Sequence, residues 1–325
     1  MIKKHRWLKV ALLGSMLIST SMSALAQDNW PQKPIRFIIP QSAGTGNDVL
    51  ARALADKLSK ELEQSVLVEN KPGANGILAA NYLKSQKNDG YTMFLAGVSN
   101  LSWNPHLYSK LPYNPNTDFD GVAIIADTPF ISIVSPKLGV KTFAEFKALI
   151  QANPNKYTFA SAGVGNSTHL ATELIKKQVP LEMEHIPFNG SGATTTSIVA
   201  GETPFMTTVP GGVTEMIKAG KLIPIAVTGD QRLPNFPETP TYKELGYDIK
   251  VPGWYAIVVK TGTDSEIVQK LNQAINRALQ SPEMQKSLQT QSLQAVTSTP
   301  GDVKIYTERE SKAWAPLIKE LGIQQ

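Results

Sequence analysis

Cysteine is absent from the 325 residues, which excludes disulfides, thiol nucleophiles and cysteine-ligated metals. Histidine is scarce as well. Beyond the N-terminal stretch there are only His106, His169 and His185, and none falls in an H-x-x-x-H or H-E-x-x-H spacing, so a metal enzyme is not expected. An excess of one charge is also missing. The chain carries 32 basic and 27 acidic residues, and Lys3, Lys4, Arg6 and Lys9 crowd the extreme N-terminus. Without those four, 28 basic residues face 27 acidic ones, a net charge of +1. No basic tract for nucleic acid remains, and after the N-terminus no apolar run is long enough to cross a bilayer.

What the N-terminus does contain is a positive segment, an apolar stretch from Val10 to Leu17, and the small-x-small triplet Ala24-Leu25-Ala26. This reads as a signal peptide over residues 1–26, cleaved after Ala26, which sends the chain from Gln27 onward to the periplasm. An exported chain without disulfides relies on core burial. Its length favours two lobes over one core.

From Ile35 onward short apolar runs alternate with longer amphipathic ones, the pattern of an α/β domain whose strands are covered on both faces. Strands are expected at 35–40, 66–69, 91–95, 122–126, 131–134, 157–160, 183–186, 204–208, 223–227 and 255–259. A helix from about Asp48 carries Leu50, Leu54, Leu58 and Leu62 at i+4 spacing, and Thr142-x-x-Glu145 is a capping-box spacing. Further helices are expected at about 77–86, 264–280 and 302–321. The runs around 122–134 lead away from the first set of strands and Ile249 to Trp254 leads back. The expected organisation is one lobe from 27–125 and 253–325, a second lobe from 126–252, and a hinge of two crossings. In open α/β sheets the ligand lies beyond the carboxyl ends of the strands, so the cleft between the lobes is the expected site.

One motif occurs twice. Ser42-Ala43-Gly44-Thr45-Gly46-Asn47 recurs 119 positions later as Ser161-Ala162-Gly163-Val164-Gly165-Asn166, each copy following a strand and opening a helix. Glycine permits close approach, Ser and Asn cap helices, and free amides at a helix N-terminus favour an anion. Either copy alone is equally an ordinary strand-to-helix turn. Together they suggest opposed donors for a ligand carboxylate. Neither completes a nucleotide signature, because Val49 and Thr168 stand at the third-glycine positions and Gly220-Lys221 lacks the following Ser or Thr. There is no G-x-S-x-G elbow.

A series of ordered segments carries a family resemblance: Pro34 to Pro40, the first glycine loop with Asn47-Asp48, Val68 to Ala74, Asp89 to Thr92, Gly163 to Leu170, His185 to Gly190, and Pro252-Gly253-Trp254. Over nearly the whole chain after the leader, the sequence resembles the Bug-type (TctC-like) extracytoplasmic solute receptors, the binding components of tripartite tricarboxylate transporters. The resemblance implies a two-lobed type II periplasmic-binding-protein fold, each lobe a doubly wound sheet flanked by helices. It also implies a carboxylate held by both loops through backbone amides and water, with no cofactor. Partners would be a small-molecule carboxylate and inner-membrane transporter subunits, with no nucleic acid, and the receptor itself a monomer. Some relatives are thought to act as sensors. Two departures leave the ligand open: Gln41 to Thr45 is poorer in proline and glycine than the usual segment, and Met206 to Val209 replaces one that often carries an aspartate. Both an aliphatic dicarboxylate and an aromatic carboxylate fit.

The candidate ligand-binding residues are Gln41, Ser42, Ala43, Gly44, Thr45, Gly46, Asn47 and Asp48 in the first lobe, with Ser99 and Asn100 after the third strand. In the second lobe they are Ser161, Ala162, Gly163, Asn166, Ser167, Thr168, His169, Asn189 and Thr208. Several have a plain structural alternative. Asp48 in a first helical turn is commonly a dipole partner, His169 serves equally for capping or packing, and a simple turn accounts for Ser99 and Asn100. His185 reads as structural and Trp254 as hinge packing. The competing function is an exported hydrolase built on Ser167, His169 and an acid, acting on a small carboxylate ester or amide, although no nucleophile-base geometry is signalled.

Overall fold

The computed structural model describes residues 30–324, and the signal-peptide reading lies outside them. The chain begins as β1 (Ile35–Ile39), α1 (Gly46–Glu61), β2 (Val66–Asn70), α2 (Ile77–Ser85) and β3 (Thr92–Gly97). In β1, Ile35, Phe37, Ile38 and Ile39 are all fully buried, as in a strand covered on both faces, and each such side chain contributes roughly 1.5–3 kcal/mol of burial. β1 pairs in parallel with β2 (Ile35↔Val66) and with β3 (Arg36↔Thr92). A π-helical turn, Ser99–Trp103, follows. The short helices α3 (Asn104–Leu107) and α4 (Pro115–Asp118) then lead into β4 (Phe119–Thr128).

The chain leaves the first sheet at Pro129 and Phe130 and enters β5 (Ile131–Val134). It continues through α5 (Phe143–Ala152), β6 (Tyr157–Ser161), α6 (Ser167–Gln178), β7 (Met183–Pro187), α7 (Ser191–Ala200), β8 (Phe205–Thr208), α8 (Thr214–Lys218) and β9 (Ile223–Val227). α5 starts on the capping box read from the sequence, with Glu145 N donating to Thr142 Oγ1 at 3.2 Å and Thr142 N to Glu145 Oε2 at 3.3 Å. The return strand β10 (Gly253–Lys260) precedes α9 (Ser265–Gln280), α10 (Pro282–Thr290), β11 (Gln294–Ala295) and α11 (Pro300–Glu320).

Two sheets result, one of six strands in the order β11-β4-β10-β3-β1-β2 and one of five in the order β7-β6-β8-β5-β9. Both are mixed rather than parallel throughout. β10 runs antiparallel to β3 and β4, and β5 antiparallel to β8 and β9, because each of these strands enters its sheet from the other lobe. The crossings lie against each other. Gly253 pairs with Thr128, and a Cβ on it would stand 2.6 Å from the Thr128 carbonyl oxygen. Thr228, only 2 % exposed, ties both crossings together: Phe130 N donates to its Oγ1 at 2.9 Å, its own N donates to Phe130 O at 2.9 Å, and its Oγ1 donates to Val251 O at 3.4 Å. Trp254 is buried beside these crossings, edge-on to Tyr306 at 5.7 Å. Among the described residues no helix is long and apolar enough to cross a membrane.

Candidate ligand-binding cleft

The two glycine loops leave the carboxyl ends of β1 and β6, and each touches the opposite lobe. A Cβ on Gly46 would lie 3.4 Å from Gly211 C and 3.6 Å from Gly212 N, in the turn after β8. Across the seam Asn166 Nδ2 donates to Asn75 Oδ1 at 3.0 Å, and Asn75 Nδ2 reaches Gly165 O at 3.4 Å. A Cβ on Gly165 would meet Leu107 at 3.0 Å.

The loops differ in how they use their amides. At the first, Thr45 occupies the N-cap of α1, but its Oγ1 donates back to Ser42 O at 2.9 Å and caps nothing. The amides of Thr45, Gly46 and Asn47 therefore have no acceptor among the described residues, and the positive end of a 16-residue helix is bare. Gly44, with φ +82°, is the exception, since its N donates to Asp48 Oδ2 at 3.0 Å. Asp48 is buried. Burial pushes its carboxyl up, but Arg52, the Gly44 amide and Asn70 outweigh this and bring it down to about 2. Asn70 Nδ2 also donates to Gln41 O at 2.9 Å, so Asp48 and Asn70 together fix the loop from behind.

The second loop consumes most of its own donors. Ala162 N goes to Thr168 Oγ1 at 2.9 Å, Gly163 N to Ser161 Oγ at 3.1 Å, Gly165 N to His169 Nδ1 at 3.1 Å, and Thr168 N to Asn166 Oδ1 at 3.1 Å. The expectation that both copies present bare amides equally is thus corrected. The second copy has an effective Asn cap and a histidine acceptor one turn along, and only Val164 and Ser167 keep amides without a partner among the described residues.

His169 accepts from Gly165 at Nδ1, so this nitrogen has no proton to offer an anion. Burial, then His185 and Lys176, lower its pKa to about 3, and burial lowers that of His185 to about 4. The two rings stack at 3.8 Å, with Phe159 behind His185 at 4.8 Å. Ser161 Oγ lies 2.6 Å from His185 Nε2, but Ser161 is fully buried and also bonds Gly163. Ser167 Oγ points to Asn166 Oδ1 at 3.4 Å and does not pair with His169. No nucleophile, base and acid line up among the described residues.

The remaining candidates divide between the seam and its supports. Asn100 is buried and spent, accepting from Gly97 N at 3.1 Å and donating to Asn75 O at 3.1 Å, while Ser99 beside it is half-buried. Ala162 and Gly163 are half-buried, Asn189 is exposed after β7, and Thr208 is buried at the end of β8. Two residues were missed by sequence reasoning. Asn75, at φ +49°, belongs to an Asn-Gly pair whose turn chemistry was legible but whose reach across the seam was not. Tyr255 on β10 hydrogen-bonds Asn47, and burial pushes its phenol up to about 12. No local signal marks it, because its place depends on β10 returning between β3 and β4.

A separate cavity of about 500 Å³, lined by Phe119, Val258, Val268 and Lys304 among others, lies at the start of β4. β4 runs in the same direction as β3, which puts this cavity at the far end of the sheet from the loops. It contains none of the residues singled out above.

Residues 50–323 match the family described as the tripartite tricarboxylate transporter family receptor. Over 316 residues the chain is 31% identical to Protein BugT of Bordetella pertussis, covering 96% of this chain and 97% of that protein. A protein of the gbd 5' region in Cupriavidus necator is 32% identical over 315 residues, covering 97% of this chain and 95% of that one. The solved structure of the periplasmic binding protein BugD superposes with a TM-score of 0.85 at 26% identity, covering 91% of this chain and 99% of BugD. An adipate-bound R. palustris protein superposes with a TM-score of 0.87 at 28% identity, with the same coverage. Two α/β sheets crossed twice by the chain, and a family match over most of its length, lead to one conclusion: the chain belongs to the tripartite tricarboxylate transporter receptors, the Bug-type solute-binding proteins.

Proposed function

We propose that the protein captures a small carboxylate in the periplasm, holds it between the two lobes without changing it, and delivers it as a monomer to transporter subunits of the inner membrane. The observation that carries this reading is the bare N-terminus of α1 at a seam between lobes, where amides and the helix dipole favour one compact anion. Gln41 to Asp48 form the primary grip, with Asp48 acting from behind. Ser99, Asn100, Ser161 to Gly163, Asn166 to His169, Asn189 and Thr208 surround or brace it. The adipate held by a relative 28% identical supports an aliphatic dicarboxylate as one ligand class. Capture works by closure, because a ligand touching both lobes stabilises the closed form over the open one.

The test is thermal unfolding of protein freed of carried-over ligand, against adipate, hexanoate, benzoate and glutamate, with product assayed in parallel. A saturable rise in midpoint without product, accompanied by contraction in small-angle scattering, is expected. A panel that shifts nothing, or product formation, overturns the reading.

A further inference from the structure

The lobes also meet at a place that neither glycine loop supplies. The last carbonyls of a helix have no partner within it, and α10 ends in a turn that answers only some of them. Ser292 N donates to Gln289 O at 3.0 Å and Leu293 N to Leu288 O at 2.9 Å, with Ser292 in the left-handed position, φ +57°, where glycine is usual. The second lobe completes the cap. Asn235 Nδ2 lies 2.8 Å from Gln289 O, 3.2 Å from Thr290 O and 2.9 Å from Ser292 Oγ, so one side-chain amide closes the end of a helix that belongs to the other lobe.

Both sides of this contact are stiff. Asn235 stands on the segment after β9, where Leu233 and Phe236 are buried in the second lobe's core and Arg232 bonds both carboxylate oxygens of Glu244 at 3.0 Å and Pro237 O at 2.9 Å. The α10 turn is seated in the first lobe, since Lys57 of α1 pairs with Glu283 of α10 at 3.0 Å and β11 pairs with β4. A second contact adjoins the first. A Cβ on Gly211, in the turn after β8, would stand 3.2 Å from Gln291 Cβ and 3.4 Å from Gln291 O, so glycine lets the second lobe lie flush against the α10 turn.

We infer that Asn235 and Gly211 are positioning residues of capture: they receive the α10 turn when the lobes come together, and stabilise the closed form without touching the ligand. This assignment rests on the capture reading above. Contacts that favour closure raise the competent fraction of the protein, and apparent affinity scales with that fraction by the same factor for every ligand. A residue that touches the ligand discriminates among ligands instead.

The experiment compares the full chain with Asn235→Leu, which keeps the volume and removes the donor, and with Gly211→Ala, which sets a methyl group against Gln291. Calorimetric titration with adipate and hexanoate is expected to show a loss of about three- to tenfold in Asn235→Leu, equal for each probe that the native chain binds, and a loss common to the probes in Gly211→Ala. In small-angle scattering both ligand-free variants should be more expanded than the ligand-free native chain, and all three should share one radius of gyration at saturating ligand. Unchanged affinity, losses that differ between probes, or ligand-free dimensions equal to the native ones overturn the role of these residues and leave capture standing. A native chain that binds none of adipate, hexanoate, benzoate and glutamate overturns capture, and the ligand-free dimensions still decide whether Asn235 and Gly211 hold the lobes together.

Discussion

Asn75 concentrates at one residue what the loops share between them. Its backbone adopts φ +49°, its carbonyl accepts from Asn100 and Asn104, and its side chain bonds Asn104 Oδ1 at 2.8 Å while accepting from Asn166 across the seam. The neighbouring Gly76 has no alternative, since a Cβ there would fall 2.2 Å from Asn100 Nδ2. Asn75→Ala removes the cross-seam bond, which exists only when the lobes are together. Ligand affinity should fall about tenfold, for a loss of about 1–1.5 kcal/mol, with a smaller effect on the ligand-free midpoint. Titration calorimetry with a ligand found by the panel checks this, and an unchanged affinity would remove Asn75 from closure. The histidine stack makes a different prediction. His169 and His185 stay neutral in the folded chain down to about 3 and about 4, whereas unfolded imidazoles protonate near 6.5. Between those values the unfolded state binds more protons, so stability is full above about pH 6.5 and declines as pH falls toward 4. Midpoints recorded from pH 7.5 to 4.5 should drop steadily, and His169→Gln with His185→Phe should flatten the slope. A flat native profile is the contrary result.

Among elements, the pair of crossings is what joins the two sheets. Thr228 satisfies Phe130 N and touches Val251 O, one partner on each crossing. Thr228→Val keeps the shape but strands a buried amide, and should cost about 1–3 kcal/mol in urea unfolding. A variant as stable as the native chain would show that water replaces the hydroxyl there. The ten principal strands were legible because their apolar runs are short and bounded by Gly, Pro and Asn. β4 extends beyond its apolar run at both ends, since Phe119-Asp120-Gly121 breaks the pattern where Gly121 must admit Pro300 O, 2.6 Å from its would-be Cβ. α10 and the two-residue β11 were not legible: α10 buries only Met284 and Leu288, and β11 is held by pairing with β4 rather than by its own residues. The repeated loop marked two strand-to-helix turns, and both meet the opposite lobe. It gave no sign that Thr45 turns its hydroxyl away while Asn166 caps, because that choice is made by hydrogen bonds to Ser42 and Thr168.

At the scale of the molecule, the seam and the two crossings follow from one topological fact: β10, the strand between β3 and β4, is supplied by the last quarter of the chain. Both neighbours of β10 precede the second sheet in sequence, and all five strands of that sheet lie between β4 and β10. A chain emerging from its N-terminus can therefore complete the second lobe while the first still lacks an inner strand. Contacts of such large sequence separation form slowly, and an unfilled sheet leaves two open edges meanwhile. The lobe that begins first in the sequence is thus also the one that ends last, and its returning strand brings Tyr255 beside Asn47 at the start of α1.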